Sequence, residues 1–297
     1  MILEVSHRTH YRYSTPVAQS QHLVHMTPRA VAHQTTLRHN LIVEPAPAMR
    51  YDGVDGFGNP FVILDVEVPH SELILHARSS IETHAPPAAD FAATTSWDRL
   101  DEKMAKPGGG LDLDVIQYRC TTRLTGASLA IADYARGSFP QGRPILDGVM
   151  DLTRRIYADF RFDPGATDIS TPVETVFEQR RGVCQDFAHL MLAGLRALRV
   201  PSRYVSGYIL TRPPPGQVKL AGADASHAWI SVWSPETGWR DFDPTNGVAV
   251  SEEHITIAYG RDYNDVSPIS GVLLGGGAHA VSVGVDVVNL DAVPTVH

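Results

Sequence analysis

The stretch RRGVCQDFAHLMLAGLRALRVPSR, residues 180–203, contains the strongest helical pattern in the chain. After Gly182, apolar residues recur every three or four positions and so share one side of a helix. These residues are Leu190, Met191, Leu195 and Leu198. Pro201 ends the pattern. Cys184, one of two cysteines among 297 residues, stands where this helix is predicted to begin.

A cysteine at the start of a helix occupies a special electrostatic position. The free N–H groups of the first turn and the helix dipole stabilise negative charge there, which favours a thiolate. Arg180 and Arg181, directly upstream, are expected to add positive charge. A free cysteine is also commonly a small buried apolar residue. The position of Cys184 alone therefore leaves two interpretations open, a reactive thiolate and a packed core residue.

The apolar period changes from 3.6 to 2 after this helix. Alternating segments at 202–210, 226–233 and 239–247 predict strands. Upstream, an apolar stripe from Ile145 to Phe160 predicts one helix, and residues 171–179 predict a shorter one. Helices followed by antiparallel strands are typical of an α+β domain.

The N-terminal part of the chain has a different character. Four alternating segments, at 2–13, 36–45, 59–68 and 71–83, predict a β-rich region. Residues 84–110 are rich in Pro, Ala and Gly and predict a linker. We therefore predict a β-rich domain at residues 1–105, with its linker from about residue 84. A second domain with a C-terminal β tail is predicted at residues 106–297.

A thiolate nucleophile needs a base, and the histidines near Cys184 differ in their suitability. His189 is nearest in sequence, but five residues of helix turn its side chain about 140° away from the cysteine. We predict that His189 packs in the core. His227 heads a strand and follows a loop rich in Pro and Gly, which makes it the candidate base.

The strand that carries His227 also predicts the group that orients its imidazole. If residues 226–233 pair with 239–247 across a turn centred near residue 235, Asp243 lies directly opposite His227. In the same register Asp241 faces Trp229, and a slip of two residues would reverse the choice of aspartate. We therefore predict that Asp243 holds the imidazole of His227.

Composition argues against several classes of function. The chain has 25 Lys and Arg against 33 Asp and Glu, and a net charge of −8 argues against nucleic-acid binding. The first residues lack the basic and apolar regions of a secretory signal, and no segment reaches 18 uninterrupted apolar residues. Two cysteines cannot form a disulfide framework and suit a reducing compartment. We therefore expect a soluble cytoplasmic protein that binds neither nucleic acid nor membrane.

Three blocks of the chain resemble those of the bacterial transglutaminase-like family, part of the papain-like cysteine-protease and transglutaminase superfamily. They are RRGVCQDFAHLMLAGLRALRVPSRYVSGYI, DASHAWISVW and GWRDFDPTNG. The segments SHRTHYRYSTPVAQSQHLVHMTPR and HITIAYGRDYNDVSPISGV are similar to the regions that flank this core. The resemblance covers nearly the whole chain. It implies an α+β fold in which a papain-like transglutaminase core, with the cysteine-bearing helix on an antiparallel sheet, follows a β-rich N-terminal domain.

By this resemblance Cys184 is the nucleophile, His227 the general acid/base and Asp243 the residue that holds the imidazole. Such a triad performs acyl transfer on peptide, isopeptide or amide bonds through a thioester. The leading hypothesis is a transglutaminase-like cysteine protease or hydrolase, in which water attacks the thioester. The alternatives are a protein-glutamine transglutaminase that makes amide cross-links and a catalytically silent peptide-binding module.

Neither a cofactor nor a metal ion is predicted. The sequence has no calcium-loop pattern, and Cys184, His227 and Asp243 do not have the spacing of a metal site. The expected partner is a peptide or protein substrate. The N-terminal β domain has three open roles, namely gating the cleft, presenting a substrate and mediating a homo-oligomer.

Other residues near the predicted site have mainly structural interpretations. Asp186 is expected to bond N–H groups of the first helical turn, and the pair Asn246–Gly247 to form a turn only. The backbone N–H of Cys184 is a natural oxyanion donor, while Gln179 and Gln185 are expected at the surface. Several aromatic residues either line the cleft or pack in the core: Trp229, Trp233, Trp239, Tyr204 and Tyr208.

Overall fold

The computed structural model describes residues 1–104, 112–211 and 226–292, and its N-terminal part is an antiparallel sheet. The strands of this part are β1 (Ile2–Val24), β2 (Gln34–Glu44), β3 (Met49–Val54), β4 (Pro60–Val66) and β5 (His70–Thr83). They lie in the order β2-β5-β1-β4-β3. Alternate side chains of β5 are buried from Leu73 to Thr83, as expected for a strand with one face on the core. The predicted β-rich N-terminal region is confirmed.

Two features of this sheet do not follow from the alternating pattern. Five of the six residues of β3 are exposed, so this strand has no apolar period. β1 continues to Val24, past the predicted end at residue 13, because it changes partners along its length. Its register with β5 shifts between Arg12 and Val17, and residues 20–24 then pair with β4. This irregularity interrupts the alternation in the sequence.

The middle of the chain is mainly helical. Residues 84–90 have no regular secondary structure, but the rest of the described part of the predicted linker contains two short 3₁₀ helices (Phe91–Ala93 and Trp97–Arg99) and a helical turn that buries Leu100 and Met104. The predicted boundary between residues 105 and 106 lies outside the described residues. The helices are α1 (Leu100–Met104), α2 (Leu113–Ile116), α3 (Leu129–Arg136), α4 (Ile145–Asp159), α5 (Val173–Gln179) and α6 (Cys184–Ala197). Two short parallel strands, β6 (Arg161–Phe162) and β7 (Arg181–Gly182), flank α5. Within the described parts of the chain, no helix has both the length and the apolar character needed to cross a membrane.

The second sheet is antiparallel and lies against α6. Its strands are β8 (Ser202–Ile209), β9 (Ser226–Ser234), β10 (Gly238–Asp243), β11 (Val248–Ala249) and β12 (His254–Gly260), in the order β11-β10-β9-β8-β12. Every residue of α6 from Asp186 to Arg196 is buried. At Gly194 the helix approaches α3 so closely that a Cβ would lie 2.7 Å from the Cβ of Ala135. The α+β fold with the cysteine-bearing helix on an antiparallel sheet is confirmed.

The last described strands return to the first sheet. β13 (Ile269–Gly275) pairs with β1 from Val17 to Val24, and β14 (His279–Asn289) pairs with β1 from Leu3 to Tyr13. The predicted β tail is therefore β structure, and it extends the N-terminal sheet to seven strands.

Two side-chain amides from the N-terminal part cover the outer edge of β12. Gln34 accepts from the backbone N–H of Thr256 at 2.8 Å and donates to its carbonyl oxygen at 2.9 Å. Asn59 does the same for Tyr259, at 2.8 and 2.7 Å. Each amide satisfies both backbone groups of one residue, as a neighbouring strand would. The edge of the second sheet is therefore capped by the first.

Candidate active site

Cys184 is the first residue of α6, and Gly182 and Asp186 shape the turn before it. The N-cap residue is Val183, whose backbone is extended. The Asp186 carboxylate accepts from the backbone N–H of Val183 at 2.8 Å and from the Thr167 hydroxyl at 2.6 Å. A Cβ at Gly182 would lie 2.6 Å from Oδ2 of Asp186, so glycine permits this closed turn. The structural role of Asp186 is confirmed, although it bonds the N-cap residue and not the first turn of the helix.

The two arginines before Cys184 have partners of their own. The Arg180 guanidinium lies over the ring of Phe177, 4.2 Å from its centre, and over that of Phe160 at 4.7 Å. Arg181 is exposed and lies 3.8 Å from the carboxylate of Asp163. Their contacts are therefore structural, and the helix N-terminus remains as the source of positive potential beside the thiol.

His227, the second residue of β9, lies between Asp243 and Cys184. Its Nε2 is 2.7 Å from Oδ2 of Asp243. The Sγ of Cys184 lies 4.0 Å from the carbonyl oxygen of Ser226, the residue before His227, and the thiol is close enough to the imidazole to help raise its pKa. Because Nε2 is engaged with Asp243, Nδ1 is the ring nitrogen left for Cys184. The structure thus brings together the three residues predicted from sequence.

Asp243 is fully buried and accepts five hydrogen bonds. Oδ1 accepts from the backbone N–H groups of Thr245 and Asn246, at 2.9 and 3.2 Å. Oδ2 accepts from His227, from the Asn246 side chain at 2.6 Å and from Nε2 of His254 at 3.2 Å. A carboxylate with this many donors is held in one orientation.

The charges of the pair follow from these contacts. Burial alone would lower the pKa of His227, but hydrogen bonds to Asp243 and Cys184, together with their charges, raise it to about 10. Burial alone would raise the pKa of Asp243, but the hydrogen bonds from His227 and His254, together with the positive charge of His227, hold it well below its usual range. At neutral pH the site therefore holds an imidazolium beside a carboxylate.

The register of the β9–β10 hairpin differs from the predicted one by two residues. Ser234 pairs with Gly238 and Ile230 with Phe242, across a three-residue turn centred on residue 236. Gly238 has φ +66°, which is common where such turns rejoin a strand. Asp243 is therefore a diagonal neighbour of His227, and the prediction that it lies directly opposite is wrong. The contact survives because diagonal neighbours share one face of a sheet.

Two residues that contact Asp243 were not predicted. His254 is the first residue of β12. Its position at the head of an apolar alternating segment is the one feature of the sequence that could have indicated its role. Asn246 was expected to form a turn only, but its side chain bonds Asp243. The interpretation of Asn246 as a turn residue alone is wrong. The turn follows Asp243 so closely that the side-chain amide of Asn246 reaches the Asp243 carboxylate.

The other residues singled out in the sequence lie as follows. His189 is buried, and its Nε2 accepts from the backbone N–H of Tyr263 at 3.2 Å, so the core role is confirmed. Gln179 is exposed, whereas Gln185 lines the cleft beside Cys184. Cys120 is an exposed free thiol.

The predicted aromatic residues divide between core and cleft. Trp229 is fully buried and donates to Asp241 at 3.1 Å, but Asp241 pairs directly with Ser231, so the prediction that Asp241 lies opposite Trp229 is wrong. The hydroxyl of Tyr208 lies 2.7 Å from Nδ1 of His7 in the N-terminal sheet, and Tyr204 lines the cleft. Two further tryptophans pack against the core, Trp233 and Trp239.

Cys184 and His227 share a cleft of about 740 Å³. Its described lining is mostly apolar and aromatic and contains no Asp, Glu, Lys or Arg. The lining residues are Phe162, Pro164, Val183, Cys184, Gln185, Tyr204, Ser206, Ile209, Thr211, Ser226, His227, Ala228, Thr245, Asn246, Tyr263 and Pro268. A cleft of this kind suits an uncharged, partly apolar group next to the thiol.

One group of side chains near the site has the composition of a metal site. His227, Asp243 and His254 offer ligand atoms that all lie within 4.8 Å of one another. Hydrogen bonds of 2.7 and 3.2 Å already join these atoms, and a metal ion would require both imidazole Nε2 protons to leave. Hydrogen bonding explains the cluster, and we assign it no metal.

Two family models match the chain. The bacterial transglutaminase-like N-terminal region matches residues 3–82, and the transglutaminase-like superfamily model matches residues 132–244. The uncharacterized protein Rv2569c of Mycobacterium tuberculosis is 38% identical over 292 residues, which cover 96% of this chain and 91% of that protein. A protein-glutamine gamma-glutamyltransferase of Pseudomonas aeruginosa is 31% identical over 121 residues, which cover 40% of this chain and 18% of that protein.

A solved structure shows the same fold. The crystal structure of a candidate cysteine protease from Cytophaga hutchinsonii superposes with a TM-score of 0.74 at 23% identity, over 99% of this chain and 92% of that one. The family expected from the three sequence blocks is confirmed along almost the whole chain. The chain belongs to the bacterial transglutaminase-like family of the transglutaminase-like superfamily.

Proposed function

We propose that this protein is a cysteine-dependent hydrolase that cleaves peptide, isopeptide or amide bonds with a Cys184–His227–Asp243 triad. The observation that carries the proposal is the buried 2.7 Å hydrogen bond between His227 and Asp243, beside Cys184 in one cleft. Membership of the transglutaminase-like superfamily supports a cysteine-dependent enzyme. The choice of hydrolysis as the reaction is our inference.

In the proposed reaction the Cys184 thiolate attacks the carbonyl carbon of the substrate, and the carbonyl electron pair moves onto oxygen. The resulting oxyanion faces the free N–H groups at the start of α6, including that of Cys184 itself. The His227 imidazolium gives its proton to the leaving amine, and a thioester remains. His227 then takes a proton from water, whose oxygen attacks the thioester and releases the acid and the thiolate.

The geometry of His227 supports both proton transfers. Asp243 holds Nε2, so Nδ1 is directed towards the thiol and can exchange the proton. The raised pKa of about 10 for His227 favours the imidazolium in the resting site at neutral pH. An imidazolium next to a cysteine in turn favours the thiolate, which is the nucleophilic form.

A second candidate is protein-glutamine transamidation, in which a primary amine replaces water. The name of the Pseudomonas aeruginosa relative favours this reaction. The described cleft has no Asp, Glu, Lys or Arg in its lining, which also fits the neutral carboxamide of a glutamine side chain. Both reactions share the thioester and differ only in the group that attacks it.

The first test is alkylation of Cys184 by iodoacetamide between pH 5 and 9, read by mass spectrometry. Cys120 is an exposed free thiol and serves as an internal control in the same molecule. An ordinary thiol with a pKa of about 8.5 is only about 0.3% thiolate at pH 6. A paired thiolate at Cys184 should therefore react about 100-fold faster than Cys120 at pH 6.

The His227→Ala variant should remove this difference. Equal rates for the two cysteines in the wild type, with no change in the variant, would contradict the triad and favour a peptide-binding module. If Cys184 is reactive, incubation with a peptide library, with and without cadaverine, separates the two reactions. Hydrolysed peptides support a protease, whereas cadaverine adducts at glutamine support transamidation.

We also infer that the protein works in a reducing compartment, the cytoplasm. Cys120 and Cys184 are both free, and a reactive thiol is preserved where disulfides do not form. Fractionation of cells that express the chain with a C-terminal tag tests this, and recovery from the cell exterior would contradict it.

A further inference from the structure

His254 lies directly behind the His227–Asp243 pair. It is the first residue of β12 and is 2% exposed. Its Nε2 lies 3.2 Å from Oδ2 of Asp243, the same oxygen that binds His227 at 2.7 Å. Asp243 therefore has an imidazole on each side, although only His227 borders the cleft that contains Cys184.

The backbone next to His254 determines which of its nitrogens carries the proton. The N–H of Ser251 donates to Nδ1 of His254 at 3.3 Å. Because a backbone N–H can only donate, Nδ1 must be the unprotonated acceptor of a neutral ring. The proton of that ring is then on Nε2, where it points at Asp243. Edge-to-face packing against Trp229, with ring centres 5.3 Å apart, fixes the plane of the ring.

The contacts of Asp243 show what this donor does. Two backbone N–H groups hold Oδ1, while Oδ2 would be free to follow the movements of His227 if His227 were its only buried donor. The side chain of Asn246 also binds Oδ2, but Asn246 is exposed and water competes for its amide. His254 is thus the buried donor that holds Oδ2 in place from the side away from the cleft.

The position of His254 is itself held by the N-terminal sheet. Two residues before it, the carbonyl oxygen of Glu252 accepts from the Thr83 hydroxyl at 2.7 Å. Two residues after it, both backbone groups of Thr256 are bonded to the Gln34 side chain. The start of β12 is therefore fixed on both sides of His254 by residues of the other sheet.

We propose that His254 is a positioning residue of the active site, which holds the Asp243 carboxylate so that His227 presents Nδ1 to Cys184. The inference rests on the proposed function, because it assigns His254 a role through the triad. His254 touches no reacting atom, and its effect passes through Asp243. The N-terminal sheet supports the same geometry by fixing the start of β12.

Two substitutions test the proposal. His254→Leu removes the donor, and His254→Gln keeps an N–H donor that can reach Asp243. The matched control is His22→Gln, which changes another buried histidine, 5% exposed, in the N-terminal sheet, where it bonds Ser20. Each protein is first checked for folding by circular dichroism. The readouts are the rate of Cys184 alkylation at pH 6 and the ¹⁵N chemical shifts of the His227 ring.

We expect His254→Leu to slow alkylation of Cys184 about tenfold, the lower end of the effect of removing partners that orient metal-ligating side chains. His254→Gln should restore most of the rate, and His22→Gln should leave it unchanged. The His227 ring nitrogens should shift in the Leu variant and return in the Gln variant. A folded His254→Leu protein with the wild-type rate and the wild-type ring shifts would overturn the proposal.

The outcome is separable from that of the proposed function. Failure of the triad itself shows as a wild-type Cys184 that reacts no faster than Cys120. If the triad is correct but His254 has no positioning role, Cys184 is alkylated rapidly in the wild type and equally rapidly in the His254→Leu variant. If His254→Leu does not fold, the comparison of His254→Gln with His254→Asn tests the proposal. Asn is too short to reach Asp243, so Cys184 alkylation should be slower in His254→Asn than in His254→Gln. Equal alkylation rates in the two variants would contradict the proposal.

Discussion

Replacement of Asp243 by Asn removes one charge from the centre of the site with almost no change in shape. The two backbone N–H groups at Oδ1 would keep the amide oxygen on their side. The new NH₂ group would then lie where Oδ2 now accepts from His227, His254 and Asn246. The N–H groups of His227, His254 and Asn246 would then point at another donor, the new NH₂ group. Each of the three would lose its acceptor, with a different cost.

The cost can be worked out donor by donor. Asn246 is exposed, so its amide turns to water at little cost. His227 can move its proton to Nδ1, but it loses a charge-assisted hydrogen bond of about 1.5–3 kcal/mol. His254 is buried, and Ser251 blocks the same proton shift, so its donor stays unsatisfied at about 1–3 kcal/mol. We therefore expect Asp243→Asn to lower the free energy of unfolding by about 3–5 kcal/mol, in line with the loss of one partner from a buried ion pair.

The same substitution should inactivate the thiol. A proton on Nδ1 of His227 faces Cys184 from a neutral ring, and in a serine-protease triad this wrong tautomer lowers turnover by about 10⁴-fold. Urea unfolding gives the stability, and alkylation at pH 6 gives the reactivity of Cys184. The control is Asp241→Asn on the same strand, which still accepts from Trp229 and should change neither quantity much. An Asp243→Asn protein with wild-type stability and a fast Cys184 would refute the reasoning.

Three further outcomes follow from the fold and the charges. Gly207→Ala places a Cβ 2.1 Å from the carbonyl oxygen of Ile255 and should cost about 3 kcal/mol in urea unfolding, whereas Gly126→Ala, with open space around it, should cost little. Because the folded pKa of His227, about 10, exceeds its unfolded value of 6.5, its contribution to stability is complete below pH 6.5 and is lost as pH rises towards 10. Unfolding at pH 6, 8 and 10 should show this decline in the wild type and a flatter profile in His227→Gln. Gln34→Leu leaves the backbone N–H of Thr256 unpaired, while its carbonyl oxygen keeps the Arg29 N–H at 3.3 Å, and should cost about 1–3 kcal/mol; an unchanged urea midpoint would show that the edge of β12 needs no cap.

The sequence was informative wherever one element alone determined the outcome. The position of Cys184 at a helix start follows from Gly182, the apolar period after it and Pro201, all within the segment 180–203. The exclusion of His189 as a base needed only the geometry of one helix, and the side chain is buried in the core. The pairing of His227 with Asp243 was also predicted within one hairpin, but the choice of Asp243 over Asp241, which shares that face, rested on a register that differs from the observed one by two residues.

Contacts between elements that are distant in sequence could not be predicted in the same way. The hairpin register depended on whether Gly238 belongs to the turn or to the strand, and its φ of +66° is a property of the folded chain. His254 reaches Asp243 from another strand, so no spacing within the hairpin indicates it. The tail was predicted as β structure, but alternation in residues 269–289 does not say which sheet those strands join.

The pairing of β1 with β14 has a consequence for how the chain folds. Leu3 pairs with Asn289 and Tyr13 with His279, so β1 is completed by a strand that is synthesised more than 250 residues after it. Contacts between residues so far apart in sequence form slowly, because a long loop must close before they add stability. Until β14 is synthesised, β1 can pair with β5 on one edge only, and its other edge remains unpaired. Such an exposed strand edge is prone to associate with other chains. The N-terminal sheet is therefore completed late, although β1 is synthesised long before β14.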